Sequence, residues 1–245
     1  MSFSNVFGGI ERALSHPGYR LLWWSNGINT IGRWIFKVSM GWITWELTGS
    51  TAWLGIVAFA DTFPMVIMTI LAGVWADRIG YLRLMKYSQL VLVVGGFVTA
   101  ILALVGALNV ELIIILCVIV GSAEAMTIPA RMSFVHSLVP RSDLSAAIAL
   151  NSTTYNVARF LGPAIFGILI QFIGLPFILL ISAMMFFVFY IALFFHKNDE
   201  LVNSRDNKNR VLSDLMDGFR YAFSNSGIFY LLFLLCVTAI LIRPY

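Results

Sequence analysis

The chain has 245 residues, 60% of them hydrophobic and only 11% charged, with a mean hydropathy of +0.88. Soluble domains carry about 25% charged residues, so a water-soluble core is excluded as a description of most of this chain. The net charge of +4 and the pI of about 9.2 do not indicate nucleic acid, because Lys and Arg are also what hold the loops of a membrane protein on the cytoplasmic side.

A helix that crosses a bilayer needs about 20 mostly apolar residues, since the hydrocarbon layer is about 30 Å thick and each residue rises about 1.5 Å. Residues 1–20, with Glu11, Arg12, His16, Pro17 and Arg20, read as a cytoplasmic N-terminal segment. They are not a signal peptide: the apolar stretch that follows is too long and no small-residue cleavage site ends it. Six runs of spanning length then follow, Leu21 to Leu47, Trp53 to Ala76, Tyr87 to Leu108, Leu112 to Phe134, Ala146 to Phe172 and Pro176 to Phe195. The outer connections are a few residues long, which predicts antiparallel hairpins packed into one all-α, six-helix bundle over residues 21–195.

A linker follows over residues 196–226. Its first part, His196 to Arg210, is polar and poor in apolar residues. Leu212, Leu215, Phe219 and Phe223 then recur at helical spacing beside Asp214, Asp217 and Arg220, the pattern of an amphipathic helix on the membrane surface. Residues 227–245 predict the start of a seventh transmembrane helix, which Arg243, Pro244 and Tyr245 leave incomplete. Cys117 and Cys236 fall inside apolar spans and read as buried hydrophobes, with no disulfide or metal site indicated.

The basic residues between spans are distributed unevenly. Arg12, Arg20, Arg78, Arg83, Lys86, Arg131, Arg141, Lys197, Arg205, Lys208, Arg210 and Arg220 fall in or beside alternate connections, while Thr48 to Ala52, Asn109 to Glu111 and Ile173 to Leu175 hold none. This asymmetry predicts a cytoplasmic N-terminus and an even number of crossings before the linker. Trp23, Trp24, Trp45 and Trp53 lie at span ends, where an indole suits the membrane interface.

At least five charges fall inside spans, where each costs about 2.5–3.5 kcal/mol even on lenient scales and therefore needs a partner, a cavity or a function. Asn26, Asn29, Arg33, Lys37 and Thr44 lie on one face of the first span, which predicts that this stripe faces the bundle interior. Arg33 stands about 18 Å along its span, and Glu124 and Arg159 come out at similar depth. Asp61 lies nearer the outer face, beside Lys37. On one reading Arg33, Lys37, Asp61, Glu124 and Arg159 only neutralise one another and pin helices together. On the other, the basic members attract an anionic or zwitterionic solute and Asp61 or Glu124 takes up a proton.

Between the second and third spans stands Gly73, Val74, Trp75, Ala76, Asp77, Arg78, Ile79, Gly80, Tyr81, Leu82, Arg83. This stretch resembles the loop signature of the major facilitator superfamily. Pro129, Ala130 and Arg131, then Leu138 to Pro140, then Asn151 to Asn156 with Arg159, Gly162, Pro163 and Gly167, resemble the fourth-to-fifth helix region of its drug and siderophore exporter branch, including enterobactin-exporter-like proteins. The resemblance covers nearly all of the chain. It implies alternating access, proton-driven export of a small organic solute, and a cytoplasmic gating motif of Gly73, Asp77, Arg78, Gly80 and Arg83. Gly162 and Pro163 fit a helix that bends or packs closely, whether as a simple kink or as a seal against leakage.

Carriers of this superfamily have about twelve spans, so the resemblance also implies that the chain is an N-terminal half whose C-terminal half is missing. A fragment, a truncated frame, or a half that pairs with a second chain are the alternatives, along with a non-transporting remnant. The frame downstream of Tyr245 would separate them. No His-Glu-x-x-His, Gly-x-Ser-x-Gly or phosphate-cradling glycine motif is present, so an enzyme is not expected, and neither is a cofactor. The expected surroundings are a lipid bilayer, that of the inner (plasma) membrane, with a small-molecule substrate and a proton as coupling ion.

Overall fold

Proline and glycine set the breaks between helices. In the computed structural model, which describes residues 3–196 and then 224, 225, 227, 229–231, 234, 237 and 238, with side chains from residue 9 onward except those of Val74 and Asp77, α1 (Phe3–Ser15) leads directly into α2 (Pro17–Thr48). Pro17 sits in the first turn of α2, where its missing N–H costs nothing. The 32 residues of α2 end at Gly49, whose φ of +59° suits the left-handed cap that only glycine adopts easily.

The second expected span is two helices, α3 (Thr51–Thr62) and α4 (Pro64–Ile79), interrupted at Phe63. Pro64 cannot donate the backbone bond that would continue α3, so the apolar run bends there. Gly80, with φ +88°, turns the chain into α5 (Tyr81–Leu104). α6 (Val110–Leu138) starts on Asn109, whose side chain accepts from the Leu112 N–H at 2.8 Å. α7 (Leu144–Leu169) and α8 (Leu175–Ala192), closed by a short 3-10 turn at Leu193–Phe195, complete the described bundle.

All elements described so far are helical, as expected for an all-α membrane protein. Thr51–Gly73, Tyr81–Leu104, Val110–Leu138 and Leu175–Phe195 are long and apolar enough to cross a membrane. α2 and α7 have the length, 32 and 26 residues, but polar residues along them lower their hydropathy. The chain separates into two units, Met1–Val202 and Asn203–Tyr245. Leu212, Leu215, Phe219 and Phe223 of the expected amphipathic linker helix lie outside the described residues. Of the expected seventh span, residues 227, 229–231, 234, 237 and 238 are helical.

Residues 1–20, expected as a cytoplasmic N-terminal segment, contain helix α1, which docks on the start of α7. Gly9 packs against Ala146, and Arg12 Nε and His16 Nε2 approach Asp143 at 3.3 and 3.2 Å. The Tyr19 hydroxyl donates to the Ala147 carbonyl at 2.9 Å, and the His196 ring meets the Gly18 carbonyl at 3.1 Å. The expected apolar packing of the bundle occurs in two separate clusters. One, near the α1 end, contains Tyr19, Leu22, Leu82, Met85, Ala130, Phe134 and Phe189. The other contains Ile35, Phe36, Leu92, Val120, Ala123, Ile178 and Phe186.

Candidate functional site

Between these two apolar clusters lies a polar layer. On α2 it occupies the interval from Leu22 to Ile35 and contains the buried Ser25, Asn26, Asn29, Thr30 and Arg33. α5 adds Ser88 and Gln89, α6 adds Glu124 and Thr127, and α3 adds Asp61. The α2 side chains share a face because steps of three and four residues repeat at the helical period.

Arg33 is the centre of the layer. Its Nε donates to Glu124 Oε2 and its Nη2 to Asp61 Oδ1, so one guanidinium holds a carboxylate from each of two other helices. Lys37 Nζ, one turn further along α2, reaches Asp61 Oδ2 at 3.1 Å. The side chains of Arg33 and Asp61 are 8% and 6% exposed, whereas Glu124 is 32% exposed. Four of the five charges expected to meet therefore do. Burial makes such a network obligatory, because each charge alone would keep its full desolvation cost.

Arg159 does not join them. It lies exposed on α7, its guanidinium carbon 5.8 Å from the Trp34 ring centroid, and Lys37 Nζ lies 5.7 Å from the same ring. The sequence expects it at the depth of Glu124; the α7 face that bears it turns toward Trp34.

The sequence counts Arg131 only among the basic residues flanking the fourth-to-fifth turn, and not among the charges of the bundle interior. In the structure α6 continues through Pro129 to Leu138, and Arg131 lies inside it, with Nη1 donating to Asn26 Oδ1. The signal was present in the spacing. Asn26 and Arg33 are seven residues apart on α2, as are Glu124 and Arg131 on α6, so two antiparallel helices meet twice in the same register, two turns apart. Gln89 was also missed; its Nε2 donates to Asn29 Oδ1 at 2.8 Å and to the Phe186 carbonyl at 3.0 Å.

A small cleft of about 30 Å³, room for one or two waters, opens beside this layer. Asn29, Arg33, Glu124, Thr127, Arg131 and Tyr155 line it. It can hold a polar group against two guanidiniums and a carboxylate.

The loop motif occupies the α4–α5 junction. Gly80 makes the turn, and Arg78 and Arg83 are exposed on either side of it. Asp77 belongs to α4, but its side chain lies outside the described ones. Among the described residues, nothing lies within 4 Å of where a methyl group on Gly73 would stand.

Of the expected packing residues, Gly162 lies directly against Trp34 of α2, and a methyl group there would also come within 3.2 Å of the Ile35 amide nitrogen. Pro163 follows it inside α7, which continues to Leu169. Gly167 has nothing within 4 Å and is not a contact in this bundle. Gly121, which sequence reading did not single out, is the closest approach to the site: it packs on the backbone of Asp61 itself.

The sequence profile described as transmembrane secretion effector matches residues 12–239. The chain is 27% identical over 163 residues to the Staphyloferrin A transporter of Staphylococcus aureus, which covers 64% of this chain and 40% of that protein. It is 27% identical over 149 residues to the multidrug efflux pump Tap of Mycolicibacterium fortuitum, covering 58% of this chain and 36% of Tap. An uncharacterized MFS-type transporter of Bacillus subtilis, YfiS, is 20% identical over 211 residues, 84% of this chain and 49% of its own length. The matched stretches thus span less than half of each of these three relatives.

Proposed function

We propose, since this chain belongs to the transmembrane secretion effector family of the major facilitator superfamily, that it supplies the solute-facing half of a proton-coupled exporter for a small organic solute, drug-like or siderophore-like. The observation that carries the reading is Arg33 shared between Asp61 and Glu124 beside an open cleft. A carboxylate that can exchange its arginine for a proton is the kind of element that couples a gradient to a change of state. Glu124 is the one of the two that solvent reaches, because it borders the cleft and is the more exposed.

The protein acts as a carrier and not as an enzyme, and it resides in the plasma membrane. Its N-terminus and linker face the cytoplasm, a placement supported by the Lys and Arg asymmetry. Taking Arg131 out of that comparison leaves eleven basic residues against none. Asp77 and Arg78 act at the cytoplasmic turn as a state-dependent latch, and a second six-helix bundle closes the other wall of the cleft. A half-carrier that needs a partner chain is the second reading.

Everted vesicles carrying the chain test both. With an imposed pH gradient, vesicles should accumulate a fluorescent solute such as ethidium or carboxyfluorescein, and Glu124→Gln should reduce that accumulation to background while Asp61→Asn leaves part of it. Equal, gradient-driven accumulation by wild type and both variants would contradict the coupling role. Transport seen only when a second bundle is co-expressed would establish the half-carrier reading.

A further inference from the structure

The polar layer holds more cation than anion. Arg33, Lys37 and Arg131 bring three positive charges, and Asp61 and Glu124 bring two negative ones. Both carboxylates are already engaged by Arg33, and Asp61 by Lys37 as well. Arg131 is left with a neutral partner, the Asn26 side-chain carbonyl. Among the described residues its Nε is buried with no hydrogen-bond partner, and so is Nη1 of Arg33; both arginines line the same cleft.

A buried donor without an acceptor costs about 1–3 kcal/mol, and more when it is charged. Two such donors, on arginines that line one cleft and with an excess positive charge around them, define what a ligand must bring. It must present acceptor atoms, and a negative charge is favoured over none. A neutral ligand would leave the excess charge uncompensated, and a cation would add to it. Guanidinium geometry favours a planar carboxylate, which can accept two parallel N–H bonds.

We propose that Arg131 is the specificity-determining residue of this cleft, and that the cleft takes the carboxylate group of an anion whose remainder lies outside it, that carboxylate bridging the free N–H groups of Arg131 and Arg33. This deepens the exporter reading by naming its solute class, and it rests on that reading only for the step from binding to transport. Glu124, seven residues from Arg131 on α6, borders the same cleft, so an incoming carboxylate meets it as a rival for Arg33.

Equilibrium dialysis on the 245-residue chain in lipid nanodiscs tests binding without any gradient. Radiolabelled succinate is the anionic probe, its uncharged diamide the isosteric control, and tetraphenylphosphonium the cationic one. The expected result is saturable succinate binding that the diamide does not displace. Arg131→Gln should weaken it about ten-fold or more, the loss of one charge-assisted hydrogen bond. Arg131→Lys should retain part of the affinity, and Arg141→Gln, at an exposed loop position, should change nothing. Each variant is first checked for a monodisperse, helical preparation, and Arg131→Lys carries the test should Arg131→Gln not fold. Absence of succinate binding, binding indifferent to residue 131, or tighter binding of tetraphenylphosphonium than of succinate would overturn the assignment. Succinate binding without gradient-driven transport would keep this inference and remove the exporter reading, whereas transport of ethidium without succinate binding would do the reverse.

Discussion

Arg33→Met is expected to destabilise the bundle by about 3 kcal/mol, the lower end of the range for breaking a buried ion pair by removing one partner. The lower end applies because the two carboxylates are left unequally exposed. Asp61 keeps Lys37 at 3.1 Å, while Glu124 loses its only direct ionic contact among the described residues. Thermal unfolding in detergent should show a clear fall in midpoint for Arg33→Met. Adding Glu124→Gln should recover most of the loss, and adding Asp61→Asn should recover less, because that change also strips Lys37 of its partner. An unchanged midpoint in Arg33→Met would mean that water already solvates the carboxylates and that the arginine clamps nothing.

Gly121→Ala should be the most damaging of the glycine substitutions. The new methyl would fall on the Asp61 carbonyl, with Asp61 Cα only 3.3 Å away, and backbone cannot rotate aside as a side chain can. Overpacking of this kind costs about 1–3 kcal/mol, and relief requires α3 to move off α6, which draws Asp61 away from Arg33. Gly95→Ala meets Val120 Cγ2 at 2.8 Å and should be milder, since a rotamer change can relieve it. Gly167→Ala, with open space around it, should be neutral or slightly stabilising, because alanine favours a helix interior by about 1 kcal/mol over glycine. Unfolding midpoints of the three variants should rank in that order. Equal midpoints for Gly121→Ala and Gly167→Ala would contradict the close approach of α3 and α6.

The long apolar runs made the spans legible because hydropathy acts over some twenty residues and survives local exceptions. The helical period made the α2 stripe legible as well, and matching depth pairs Arg33 with Glu124 and Lys37 with Asp61, while the Arg33–Asp61 contact joins two levels that depth kept apart. What depth alone does not give is azimuth. Arg159 lies at a suitable level on α7 but on a face turned toward Trp34. Arg131 escaped for a different reason: near the cytoplasmic end of the fourth span it counts with the basic residues that flank a turn, and only its seven-residue offset from Glu124 ties it to the α2 stripe. The glycines show the same division. Gly162 was read from its proline neighbour, whereas Gly121 sits in an unremarkable apolar run and its role depends on a backbone sixty residues away in sequence.

The central claim is that the polar layer is a water-reached, anion-favouring cleft between two dry cores. Cysteine accessibility tests it most directly. With Cys117 and Cys236 replaced by alanine, single cysteines are placed at Thr127, which lines the cleft, and at Val120, two turns along α6 in the apolar cluster. The chain in membrane vesicles is then treated with anionic and cationic methanethiosulfonates. Labelling of Thr127→Cys, faster with the anionic reagent, with Val120→Cys unlabelled, is the predicted result. A Thr127→Cys that stays as unreactive as Val120→Cys, or reacts faster with the cationic reagent, would contradict it.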